Sequence, residues 1–182
     1  MQRTLDAVHE QRKRLKTPMF AHINHPNFGY GISADDLKQL NGERFFEVYN
    51  GHPAVNNEGD DMHIDTETMW DLVNIHYLNE GKPLLFGIAT DDSHRYHSFS
   101  SEDSNTGRGW VMVNCKKLAI EDIISAMEKG DFYASTGVHL KKLFTDKKQI
   151  EIEVDPEFGV IYEIIFIGYQ KGAEDVVELK KV

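Results

Sequence analysis

Imidazole and carboxylate side chains gather at three points of this chain: His25-Pro26-Asn27, Asn50-Gly51-His52 and Asp91-Asp92-Ser93-His94. Each follows directly on a run with strand character, namely Met19–Ile23, Arg44–Tyr49 and Leu84–Thr90. Imidazole with carboxylate is the ligand set of Zn, Mn or Fe, and multi-metal hydrolases hold or bridge their ions with carboxylates. Such ions lower the pKa of bound water and clamp the oxygens of a phosphoryl group. Asp91 has two readings, a loop cap or a proton relay beside a ligating Asp92. His52 likewise reads as a turn residue or as part of the site. In the loop that follows, Arg95 and Arg108 are candidate phosphate contacts, although most loop arginines are simply solvated. Glu47 adds a further hint: it lies among Phe45, Phe46, Val48 and Tyr49, where a buried carboxylate is costly without a cation or several donors.

The elements that must position these groups follow from periodicity. Residues 2–16 read as a helix with Leu5, Val8 and Leu15 on one side. Ser33 and Asp36 are close to capping-box form ahead of a short helix carrying Leu37 and Leu40. Asp65 or Thr66 caps a helix running to about Glu80, with Gly81 as its stop signal. After the strand 84–90 and a long polar loop, Trp110–Asn114 is a strand. Ile120, Ile123, Ile124 and Met127 then mark a helix ended by Gly130, and Phe132–Ser135 is a strand. This alternation predicts parallel strands with helical crossovers, whose carboxyl ends form one ligand-collecting rim. His22 falls on the alternate strand face from His25 and reads as a structural histidine. Beyond residue 138 no helical period remains. Gln149–Val154 alternates strictly, Val160–Ile167 is a dense apolar strand and Val176–Leu179 a third, with turns at Phe158-Gly159 and between Gly168 and Gly172.

Composition narrows the function classes. A chain of 182 residues, 40% hydrophobic, can bury one substantial core plus a small appendage. Thirty acidic side chains against twenty basic ones disfavour nucleic acid as a partner. The single cysteine, Cys115, excludes an internal disulfide and a multi-cysteine metal site. No apolar run reaches transmembrane length, and the N-terminus has no signal-peptide core. The expectation is therefore a soluble, cytoplasmic chain without membrane contact, provided that Met1 is the native start.

The runs Asn24-His25-Pro26-Asn27-Phe28, Phe46-Glu47-Val48-Tyr49-Asn50-Gly51-His52 and Ala89-Thr90-Asp91-Asp92-Ser93-His94 resemble the later motifs of the polymerase-and-histidinol-phosphatase (PHP) family. Gly107-Arg108-Gly109-Trp110 and Phe132-Tyr133-Ala134-Ser135-Thr136-Gly137 extend the resemblance over residues 18–140. It implies an α/β fold, the C-terminal part of a distorted seven-stranded β/α (TIM-like) barrel, assigned to residues 1–137; the strand pattern beyond it is read as a small antiparallel β appendage over 138–182. It also implies a metal-dependent phosphoesterase acting on a small phosphorylated substrate. His25, Asp92 and His94 match metal ligands, with His52 a further ligand in this branch or a relay together with Asp91. Asn27, Glu47, Asn50, Arg95 and Arg108 are expected to line the pocket.

The chain departs from the family pattern in one large respect. The His-x-His and Asp-His motifs of the opening strands, and the metal-bridging glutamate, have no counterpart here. Each ion would keep about one protein ligand where sites take roughly three or four. The expectation is an incomplete divalent-metal site and weak or absent activity in the isolated chain. A preceding segment or a second copy of the chain in a homo-oligomer would complete the barrel. Two alternatives share the same residues: a non-catalytic binding remnant of the fold, and an amidohydrolase-type metallohydrolase.

Overall fold

Phe45 and Phe46 are adjacent in sequence and both fully buried, which requires one strand covered on both faces. Each contributes about 1.5–3 kcal/mol by leaving water. The structure, a computed structural model, describes residues 1–169 and 176–181. The strand in question is β1 (Phe45–Asn50), which pairs in parallel with β2 (Phe86–Thr90). On its other side β1 meets only Ile23 among the described residues: the Ile23 N–H donates to the Phe45 carbonyl and the Glu47 N–H donates to the Ile23 carbonyl, at 3.0 Å each. The strand expected over 19–23 is thus a single bridge. His25 has a positive φ of 23°, and Pro26 behind it carries no donor.

One face of β1 packs against α1 (Gln2–Leu15), α2 (Ala34–Lys38) and α3 (Thr66–Asn79), and there Phe46 joins Leu5, Leu37, Val73 and Leu85. The helix ends obey local rules. Ser33 and Asp36 form a reciprocal capping box, Asp65 Oδ1 accepts the Thr68 amide at 2.7 Å, and Gly81 follows the end of α3 at φ 68°. The other face of β1 puts Phe45 with Ile88 and with Met127 of α4 (Ile120–Lys129). Arg12 closes this side: it donates to the Met19 carbonyl and forms a forked pair with Glu128, so α1 is tied to α4.

The strands do not close into a barrel, and the seven-stranded β/α expectation is corrected here. Among the described residues there are four separate two-stranded sheets. The reason lies in β3 (Trp110–Val113) and β4 (Phe132–Ser135), which flank α4 like a crossover unit yet pair antiparallel. Asn114 N donates to Asp131 O at 2.8 Å, closing the base of the excursion, so α4 is a long insertion in a hairpin rather than a crossover. The parallel part is confined to Ile23, β1 and β2.

The rest of the chain forms two antiparallel pairs, β5 (Leu140–Thr145) with β6 (Ile150–Val154) and β7 (Ile165–Tyr169) with β8 (Val176–Lys181). β5 escapes a period-two reading because a register shift between Leu140 and Lys142 breaks its alternation. Val160–Ile164 carries no strand, and the turn expected at Gly172 lies outside the described residues. No helix of the described residues is long and apolar enough to cross a membrane.

Candidate functional site

A bulge in β1 sets the geometry. Glu47 pairs with Ile88 but Tyr49 pairs with the next residue, Ala89, so Val48 is the extra residue. In a regular strand Glu47 and Asn50 would face opposite ways; one inserted residue brings them to one side. Asn50 Nδ2 accordingly donates to Glu47 Oε2 at 3.0 Å.

Glu47 is 3% exposed, and its burial is compensated by donors rather than left open. Its Oε2 also accepts the His25 backbone N–H at 2.6 Å, and its Oε1 accepts the Thr90 hydroxyl at 2.7 Å. One carboxylate therefore ties the Ile23–His25 segment, β1 and β2 together at their carboxyl ends. Asn50 Nδ2 extends the unit to Asp92 Oδ2 at 3.2 Å. His25 and Asp92 both adopt left-handed backbone, φ 23° and 47°, a costly conformation that collects at functional sites.

The ring nitrogens separate the two histidines nearby. His94 Nδ1 lies 2.7 Å from the Asp92 carbonyl, which can only accept, so Nδ1 carries the proton and Nε2 keeps its lone pair. His52 Nδ1 accepts the Ala54 N–H at 3.1 Å, so the neutral ring carries its proton on Nε2. The two rings meet edge to face with centroids 5.4 Å apart. His94 is built as a ligand or acceptor, and neutral His52 as a donor.

Several expected pocket residues turn out to hold loops. Asp91 Oδ1 accepts the amides of Arg108 and Gly109 at 2.7 and 3.0 Å, which caps the 91–108 loop. The Arg108 guanidinium is spent on the carbonyls of Gly51 at 3.1 Å and Ser100 at 2.8 Å. Gly51 permits this approach, since a Cβ there would lie 2.7 Å from Arg108 Cβ. Asn27 is buried and donates to the carbonyls of Asn56 and Ile64, both at 3.0 Å, pinning the 54–64 loop. Asp60 rigidifies that loop by accepting from the Met62 amide and from the backbone and ring of His63. The Met62 bond leads in pulling the Asp60 carboxyl down to about 2. Arg95 is exposed, and its charge helps to lower the carboxyl pKa of Asp103.

His22 and Thr90 join the site unannounced. His22 Nδ1 is buried without a hydrogen-bond partner, 3.9 Å from Glu47 Oε1. Burial holds this imidazole below its usual pKa, with His25 adding to the effect and Glu47 opposing it. The positive φ at His25 defeats the alternation that would keep the two histidines apart. The only advance signal was the pair of imidazoles three residues apart.

The donors present do not make up a closed metal site. No three His, Cys, Asp or Glu side chains among the described residues form a group able to hold an ion. Glu47 is committed to its donors, neutral His52 offers a proton, and Asp92 with His94 remain as a pair. Compared with known proteins, the chain matches no family model, no curated protein and no solved structure.

Proposed function

We propose that the chain carries part of the site of a PHP-type phosphoesterase, which hydrolyses a small phosphate ester with the help of a divalent ion such as Zn, Mn or Fe. One observation supports this reading most: a single hydrogen-bonded unit, His25–Glu47–Asn50–Asp92, gathers the three polar clusters beside a histidine with a free Nε2. Asp92 and His94 are the donors left for an ion. Its remaining ligands come from outside this group, so the chain alone has weak activity. His52, with Nδ1 accepting the Ala54 N–H, is placed to offer an Nε2–H hydrogen bond to a leaving oxygen, and Glu47 positions the others without reacting.

A second reading, a non-catalytic binding module, is favoured by the occupied state of Glu47, Asp91 and Arg108, whose polar atoms hold the scaffold. Titration of the chain with Mn²⁺ and Zn²⁺, alongside p-nitrophenyl phosphate hydrolysis, separates the two. On the phosphoesterase reading, metal binds weakly, Asn50→Ala weakens it about tenfold or more, and Asp92→Asn with His94→Ala abolishes binding and hydrolysis together. A folded protein that binds neither ion at any concentration overturns the phosphoesterase reading and supports the binding module.

A further inference from the structure

Beside the hub lies a cavity of about 400 Å³ that none of the roles above uses. Its volume is that of a small-molecule pocket. Ala21, Ile23, Phe28 and Ile32 line it, and no Asp, Glu, Lys or Arg side chain does. His22 and His25 form its wall on the side of the site. His25 thus belongs to both places: its backbone N–H holds Glu47 while its side chain borders the cavity. Phe28 is 53% exposed at the rim, its ring 5.4 Å from that of His25. A large aromatic left half in water beside an apolar hollow is an unsatisfied hydrophobic surface.

We infer that this cavity receives the apolar part of the substrate, so that the ester cleaved is the phosphate of an aryl or alkyl alcohol rather than of a sugar or nucleotide. The inference rests on the phosphoesterase reading for the phosphate end and on the cavity alone for the other end. The polar side chains of the lining are confined to Thr4, Asn24 and the two imidazoles, too few to replace the hydration of a polyol or ribose, whereas a ring or short alkyl chain is stabilised by the desolvation. The unpartnered His22 Nδ1, 3.9 Å from Glu47, lies on the border between the two ends.

The test uses the whole chain with 1-naphthol, 1-naphthyl phosphate and inorganic phosphate as probes, followed by naphthyl fluorescence and calorimetry. The expected result is that 1-naphthol binds without metal, and that 1-naphthyl phosphate binds at least about tenfold tighter than inorganic phosphate. Phe28→Ala, a change at an exposed site, weakens both naphthyl probes about tenfold and leaves inorganic phosphate unchanged. Ala21→Trp, which fills the cavity, abolishes 1-naphthol binding in a chain whose circular dichroism is unaltered. Failure of 1-naphthol to bind, or binding indifferent to both substitutions, overturns the inference. Binding of 1-naphthol that responds to Phe28→Ala, with no phosphate ester hydrolysed under any metal, leaves the apolar site standing and removes the phosphoesterase reading.

Discussion

Glu43 offers the sharpest test of how this core is held. The residue is 3% exposed, and its Oε1 accepts the amides of Arg44 and Phe45 at 2.8 Å each, while Oε2 is buried with no hydrogen-bond partner. Burial raises the carboxyl pKa, while the Phe45 and Arg44 amides and then His9 pull it back. A folded-state pKa above the unfolded value, about 4.3, means that the protonated form suits the fold. The contribution of Glu43 is therefore fully present below about pH 4.3 and is lost as pH rises through the folded value. The loss can proceed at up to about 1.4 kcal/mol per pH unit, the limit for one proton.

In Glu43→Gln the carbonyl keeps the two amide donors, and its NH2 lies where Oε2 had no partner, at a pH-independent cost of about 1–3 kcal/mol. The variant is thus expected to be less stable than the parent near the unfolded pKa, about 4.3, and to gain on it as pH rises through the folded value, above which the gap is constant. Urea unfolding at half-unit pH steps measures the gap, with His9→Gln carried in both backgrounds to remove the neighbouring imidazole. Parallel stability curves across the range would refute the assignment of this titration to Glu43.

Three further outcomes follow from the site. Glu47→Ala strands three donors that now meet a carboxylate, so it is expected to cost at least about 3 kcal/mol, read as a fall in Tm of roughly 6–12 °C. Gly51→Ala forces a Cβ to within 2.7 Å of Arg108 Cβ; it is expected to cost about 1–3 kcal/mol and to open the 91–108 loop to limited proteolysis. Asp60, with its carboxyl held at about 2, supports the 54–64 loop above the usual carboxylate range and releases it as pH falls from about 4 toward that value. Asp60→Asn should abolish the pH dependence of the His63 ring signals between those limits, as followed by NMR.

The meeting of three polar clusters was legible because each follows an apolar run, and Glu47 stood out as a carboxylate among aromatics. Its role was not legible, since its donors are the His25 backbone N–H, the Asn50 side-chain amide and the Thr90 hydroxyl, which come together only in the folded chain. The joint placement of Glu47 and Asn50 depends on a bulge, and a three-residue spacing argues against it in any regular strand. The barrel expectation failed at β3, α4 and β4 for a related reason. Strand, helix, strand reads locally as a crossover, but pairing sense is decided by a contact seventeen residues long, from Asn114 to Asp131. Strand alternation separates His22 from His25, and the backbone at His25, with its positive φ, does not keep that alternation.

The extra residue in β1 makes the site a matter of counting. Removing Val48 would restore an unbroken ladder between β1 and β2 and leave Phe45 and Phe46 in place, yet it would turn Asn50 away from Glu47. Chain length at one position, independently of any change in side-chain chemistry, thus switches the assembly of the polar unit on or off. A gain or loss of function here needs only a single-codon insertion or deletion in a strand whose hydrophobic anchoring stays intact.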